Sequence, residues 1–289
     1  MTEYSQQVRD SFPTVNKFRL CGPDGMRTPH FGLFTDEGES VGKPVSSLYV
    51  PHTTEDVVAA VDAVGDAWGG IGRVSTRFKD GHHVIVQPSQ DYRKTVFGSK
   101  DDVFPRLVVR APYGGKGSFS VTLGFYRDLC RNMMILRRVS GTTVRIRHTG
   151  GLRDHMDEMI ASFAGLQEKW ENLGDVMRAM EDRRVNVTDY LNAIYGEPDD
   201  TGRGRTIHRN RTEAIVRRLF REQSVLGKQA TGTGSDLTVS GWDAFNAVQG
   251  YIQHDRSRQG SPDVVTRAFL ALGDSNVARA EALVYEMAL

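Results

Sequence analysis

Apolar residues first fall into a helical rhythm at Val57, Val58, Val61, Val64 and Trp68, which repeat every three to four positions before Gly69-Gly70. Such spacing puts them on one face of a helix, and a glycine pair ends it. Thr53, three residues before Asp56, supplies the capping arrangement that opens it, with the acid in place of the usual Glu. The rhythm then switches to alternation. Arg73–Lys79 and His82–Val86 flank Asp80-Gly81, the dipeptide of a tight type I′ hairpin turn. Leu107–Val109 and Phe119–Leu123 flank a second turn at Gly114–Gly117, and Val144–Arg147 alternates again as a further strand. Between these lies a short helix expected over Phe125 to Leu136. Residues 1–45 carry turn signals at Gly22-Pro23-Asp24-Gly25 and Asp36-Glu37-Gly38, and read as loop with a few short strands.

From Leu152 the pattern changes. Leu152, Met156, Met159, Phe163, Leu166, Trp170, Leu173, Met177 and Met180 alternate steps of four and three, a heptad seam on one helix of ~30 residues. Two readings stand: the seam packs against the protein's own elements, or it joins copies of the chain. Gly165 and Gly174 interrupt the helix surface. Shorter helices follow: one capped by Thr188 and running to Gly196, one near residues 212–226, one after Ser240, and two opened by Ser261-Pro262 and by Asp274. A loop occupies residues 196–206 between the first two.

Strands first and helices second, without βαβ alternation, define an α+β fold. The expectation is an antiparallel sheet of about four to five strands with a following helix, then the long heptad-patterned helix and a C-terminal helical region. The domain division places residues 1–150 in an antiparallel-sheet domain with an irregular N-terminal segment. Residues 151–289 form a helical region led by a long helix over residues 151–182.

Composition narrows the setting. The chain has 289 residues, 39% of them hydrophobic, enough for a sizeable core. Two distant cysteines, Cys21 and Cys130, fit a reducing compartment better than a disulfide framework. No apolar run reaches the ~18 residues of a membrane span. The start Met1–Gln7 is polar and acidic, unlike a signal peptide. The expected location is the host cell cytoplasm.

The 37 basic and 36 acidic residues nearly cancel, yet they are segregated. Between Val103 and Gly150 the basic residues are Arg106, Arg110, Lys116, Arg127, Arg131, Arg137, Arg138, Arg145 and Arg147, against Asp128 alone. From Arg203 to Arg221 seven arginines face only Glu213, whereas Gly151–Asp182 holds eight acids and three bases. Either the first basic segment lines a groove that follows phosphates, or it mates with the acidic helix within or between subunits. Phe119, Phe125, Tyr126 and Tyr113 nearby are core residues or stacking surfaces for single-stranded bases.

No catalytic constellation emerges. Gly232-Thr233-Gly234-Ser235 lacks the Lys-Ser/Thr ending of a phosphate-binding loop. His148 and His155 do not have metal-ligand spacing, His82 and His83 point to opposite faces of a strand, and Asp199-Asp200 sit in a loop. Cys130 has arginines around it but no base partner, and reads as a structural thiol. No catalytic residue, metal or cofactor is expected.

Three segments carry a family likeness. Arg127-Asp128-Leu129-Cys130-Arg131-Asn132-Met133-Met134 looks like an arginine, cysteine and asparagine motif, and Ile146-Arg147-His148-Thr149 like the basic-His-Thr turn that follows it. Gly241–Val248, continuing to Tyr251–His254, is similar to a tryptophan-asparagine motif and supplies Trp242, Asn246 and His254. Together these resemble domain-of-unknown-function family 932 over residues 45–256. The motif's usual acids before its tyrosine and histidine are replaced here by Gly250 and Gln253. The resemblance implies a phage or plasmid setting and mobile-element DNA metabolism or host-defence interaction, with no reaction attached. A curved antiparallel sheet followed by a helix also looks like the core of phage single-strand annealing proteins.

The leading expectation is a homo-oligomer that binds or anneals single-stranded DNA through Arg127, Arg131, Arg137, Arg138, Arg145, Arg147 and His148. The rival is a structural or protein-binding oligomer, for instance a host-defence-interacting factor, without nucleic acid.

Overall fold

The computed structural model describes residues 3–89, 92–97, 101–115, 117–130, 132–134, 143–146, 152–198, 202–256 and 274–286. The α+β class and the antiparallel sheet hold, the main sheet having seven strands. Two compact units share the chain. The first takes Met1–Tyr92, Pro105–Leu123 and Gly141–Lys169, the second Arg93–Phe104, Gly124–Ser140 and Trp170–Leu289.

In the first unit a helix not expected from the sequence, α1 (Glu3–Asp10), precedes a ribbon of β1 (Val15–Cys21) and β2 (Arg27–Thr35). Leu33 of β2 is buried with Val41, Val45 and Tyr113. Helix α2 (Thr54–Ala67) carries the capping box read from the sequence: Asp56 N–H donates to Thr53 Oγ1 at 3.2 Å, and Thr53 N–H to Asp56 Oδ2 at 2.7 Å. Its valines and Trp68 are buried as their spacing requires. Next come β3 (Ile71–Phe78) and β4 (Gly81–Pro88), antiparallel. Phe78 stands opposite His82, so the turn contains three residues, Lys79 to Gly81, where a two-residue type I′ turn was expected. Asp80 and Gly81 both have positive φ, 57° and 146°. At Gly81 an added Cβ would lie 2.3 Å from the Ala111 carbonyl oxygen, so only glycine fits. Strand β4 then pairs with β6 (Asp102–Pro112), which neighbours β7 (Phe119–Arg127), and β9 (Thr143–Ile146) pairs with β7.

In the second unit β5 (Lys94–Thr95) pairs with the start of β6, and β8 (Asn132–Met134) with the end of β7. The helix expected over Phe125 to Leu136 is therefore absent from its described residues. The alternation of Phe119, Val121, Leu123 and Phe125, all fully buried, continues through Arg127, and strand pairing outweighs the weak helical spacing of the arginines.

The expected long helix is two helices, α3 (Leu152–Ala161) and α4 (Phe163–Asp182). The break falls at Ser162, whose hydroxyl donates to the Met159 carbonyl at 2.6 Å and offers the backbone a local alternative to a continuous helix. The described seam residues Met159, Phe163, Leu166, Trp170, Leu173, Met177 and Met180 are each at most 1% exposed within one chain. From Met159 to Met180 the described seam residues are thus spent on the protein's own packing and present no face to a second copy.

Short strands β10 (Arg184–Asn186) and β11 (Thr238–Ser240) pair in the second unit. Around them lie α5 (Val187–Tyr195), α6 (Gly202–Leu226), α7 (Gly241–Gly250) and α8 (Ser275–Glu286). The cap of α5 is Asn186, which accepts from Asp189 N–H, instead of Thr188. Helix α6 begins ten residues before the expected 212, taking in part of the predicted loop. Ser240 caps α7, every residue of which is buried. The helix expected after Ser261 falls outside the described residues. No helix among the described residues is long and apolar enough to cross a membrane.

Candidate functional site

The end of β7, the segment before β6, and helices α6 and α7 converge on one guanidinium in the second unit. Arg127 donates through Nε and Nη2 to the two oxygens of Asp101, at 2.5 and 3.1 Å, with neither side chain exposed. Its Nη1 reaches Glu222 Oε2 at 3.0 Å, and Asp243 Oδ1 lies 3.7 Å from Nη2. The indole N–H of Trp242 donates to Asp101 Oδ2 at 3.1 Å, while its ring centroid is 5.4 Å from the guanidinium carbon. Cys130 Sγ stands 4.0 Å from Nη1. Asn246, also fully buried, donates to the Trp242 carbonyl at 2.8 Å.

Two further cations extend the cluster. Arg218 on α6 holds Asp255 at 2.7 and 2.9 Å and Glu222 at 3.3 Å. Lys228 holds Glu181 at 2.6 Å and Asp243 at 3.0 Å, with the Phe97 ring 4.3 Å from its Nζ. The acids Asp101, Glu181, Glu222, Asp243 and Asp255 thus outnumber the cations Arg127, Arg218 and Lys228. Burial raises the carboxyl of Glu222 above its ordinary range despite Arg127 and Arg218, and that of Glu181 despite its bond to Lys228. Buried carboxylates of this kind require saturation by donors. The cluster ties these four elements into one packing unit, and Arg127 offers no surface to a phosphate.

Two of the motif segments read from the sequence meet here: Arg127 and Cys130 from one, Trp242 and Asn246 from the other. Asp101, Glu222 and Asp243, which join them, were not singled out. The available signal was the four-residue spacing of Arg218 and Glu222 on a helix. Of the expected nucleic-acid contacts, Arg145 is exposed on β9 in the first unit. Arg131, Arg137, Arg138, Arg147 and His148 lie outside the described residues, as do Asp199 and Asp200. Asn132 belongs to β8, and His254 sits half-buried on a π-helical turn (Tyr251–Asp255). Among the described residues no group of three or more His, Cys, Asp or Glu is placed to hold a metal ion.

A second buried polar cluster lies in the first unit. His52 Nε2 and His82 Nδ1 are 2.8 Å apart, His52 stacks on Tyr113 at 4.1 Å, and the Tyr113 hydroxyl donates to the His52 carbonyl. Burial drives His82 down to about 3. Both rings belong to the core and show no open approach for a reactant.

Accessible basic charge gathers on α6. Arg203, Arg205, Arg209, Arg217 and Arg221 are exposed, and Glu213, 3.8 Å from Arg209, is the exposed acid of that helix. Arg203, Arg205, Arg217 and Arg221 have no acidic partner among the described residues. Apolar side chains interleave with them, Ile207, Phe220 and Val225 being 49%, 46% and 48% exposed. Beside this helix run two open grooves of about 710 and 570 Å³ that share Thr188 and Thr212.

No curated protein and no solved structure matches the chain. A family model described as "Domain of unknown function (DUF932)" matches residues 43–284. That span takes in the Arg127 cluster, both grooves and all but the last residues of α8, and the chain belongs to the DUF932 family.

Proposed function

We propose that this protein binds single-stranded nucleic acid through the outward arginines of α6. The observation that carries the reading is that Arg203, Arg205, Arg217 and Arg221 are exposed without acidic partners among the described residues, beside an exposed Phe220. Exposed guanidinium groups release counterions from a phosphate backbone, and an exposed ring stacks on bases of any sequence. In the mobile-element setting that the resemblance implies, such a surface suits strand binding or annealing by a homo-oligomer. Arg145, and the expected arginines outside the described residues, would extend the contact.

A second reading, a protein-binding oligomer, draws on Ile207 and Val225, whose exposure on the same helix resembles the apolar part of an interface. Salt separates the two. Anisotropy of a labelled single-stranded oligonucleotide should show affinity falling linearly with log salt concentration, with a slope of about −0.7 per phosphate contact. Absence of binding at low salt overturns the nucleic-acid reading and turns attention to protein partners.

A further inference from the structure

Helix α6 carries a stripe along one flank: Arg205, Arg209, Thr212, Val216, Phe220 and Gln223 step by four, three, four, four and three residues. On an α-helix these positions stand one above another. All six line the two grooves, the arginines in one and Val216, Phe220 and Gln223 in the other, with Thr212 in both. One end is therefore cationic, and the other is apolar with an aromatic lip.

Polar atoms along this flank are left without partners. Gln223 is 3% exposed, and its Nε2 donates to Asp243 Oδ2 at 3.2 Å, which fixes the orientation of the amide. Its Oε1, the Thr212 hydroxyl and His208 Nε2 are buried and make no hydrogen bond among the described residues. A buried polar atom left unpaired loses the hydrogen bonds it would make to water, and that loss favours whatever group completes them. Three such atoms on groove-lining residues of one helix are the arrangement of a site whose hydrogen bonds are completed by a ligand.

We infer that this flank of α6 is a nucleotide site, a single base entering the groove between Phe220 and Thr212. The inference rests on the nucleic-acid reading above and specifies what is held. The Thr212 hydroxyl, which can donate and accept, matches the N–H and carbonyl edge of a base, while Gln223, eleven residues or about 16 Å further along the axis, stands at the far end of the groove. Val216, Leu237 and the ring of Phe220 match its flat faces. Thr212 and Arg209 are three residues apart, about 4.5 Å along the helix axis, so the arginine end lies within reach of the phosphate on the same nucleotide. Glu197 and Glu213 also line the arginine end. Arg205, seven residues or about 10 Å from Thr212 along the axis and without an acidic partner among the described residues, takes the phosphate together with Arg209. The same chemistry is offered by a free nucleotide and by one residue of a strand.

The test compares three probes on the full chain: a labelled oligothymidylate, an abasic strand of the same length, and thymidine and adenosine monophosphates. The proteins are wild type, Phe220→Ala and Thr212→Val. Phe220 is nearly half exposed and Thr212→Val keeps its shape, so thermal melting should show both variants folded. Wild type should bind oligothymidylate at least tenfold more tightly than the abasic strand. Each variant should lose about tenfold on the first and nothing on the second. Equal wild-type affinity for the two strands overturns the base site while leaving the arginine reading intact. Monophosphate binding that Phe220→Ala weakens, without binding of either strand, keeps the site as one for free nucleotides and overturns the strand reading. Binding of none of the probes overturns both.

Discussion

Arg127 and Asp101 form a two-pronged ion pair in which neither side chain has any exposed surface. Removing one member leaves the other charged in a dry site, whereas removing both leaves Glu222 and Asp243 still held by Arg218 and Lys228. Asp101→Asn should therefore lower unfolding free energy by about 3–5 kcal/mol, the range for orphaning a buried ion. Asp101→Asn combined with Arg127→Met should recover a large part of that loss. Urea titration followed by tryptophan fluorescence measures both, and a single-variant loss under about 1 kcal/mol would show that the pair does not anchor the second unit.

This pair also marks the limit of what the sequence discloses. The capping box of Thr53 and Asp56 is written within a few residues of sequence and is legible there; the Asp80-Gly81 signal places a turn just as locally, but the turn has three residues where the dipeptide implies two. Asp101 and Arg127 are 26 residues apart, and Arg127 and Glu222 are 95 apart. Such pairings leave no periodic trace, and Arg127 groups with the expected nucleic-acid contacts because it stands among other arginines. The same segment shows how two periods compete. Arg127 and Arg131 have helical spacing, but the fully buried Phe119, Val121, Leu123 and Phe125 have strand spacing, and burial decides between them. Helix α6 was read too short because Gly202 and Gly204 are poor helix formers. The heptad spacing marks the seam but not the break at Ser162 that divides it between two helices, and whether its partner is internal depends on tertiary structure.

A pH prediction follows from His82. An unfolded histidine takes up a proton near 6.5, while burial holds the folded His82 neutral down to about 3. Between those values the unfolded state binds the extra proton, so the contribution of His82 to stability is fully present above 6.5 and falls with pH at about 1.4 kcal/mol per unit. The urea midpoint should drop between pH 7.5 and 5. In His82→Gln the drop should be shallower by about one proton's worth of slope. Parallel pH profiles for the two proteins would contradict the buried neutral histidine.

Gly250 has a steric role. A Cβ built there would stand 2.7 Å from Cδ and 2.9 Å from Nη1 of Arg218. Arg218 is only 5% exposed and is fastened to Asp255 and Glu222, so it cannot swing aside without breaking those pairs. Gly250→Ala should cost about 1–3 kcal/mol, the range for overpacking a filled interior. Thermal unfolding measures it; an unchanged melting temperature would mean that Arg218 moves freely. A side chain longer than alanine should cost more.

The last prediction concerns the basic face of α6. Arg217 and Arg221 are one turn apart on its exposed side and lack acidic partners among the described residues, whereas Arg218 between them is buried and committed to carboxylates. Arg217→Ala with Arg221→Ala should leave the unfolding free energy within about 0.5 kcal/mol of wild type, as for surface changes generally. It should also flatten the dependence of log affinity on log salt for single-stranded DNA by about 1.4, the sum of two contacts at roughly 0.7 each. Arg218→Ala should do the reverse, destabilising the fold by leaving Asp255 without Arg218 and Glu222 with Arg127 alone, while leaving the salt slope of the folded fraction unchanged. If Arg218 moved the slope and its exposed neighbours did not, the binding surface would have to be sought elsewhere than on the outer face of α6.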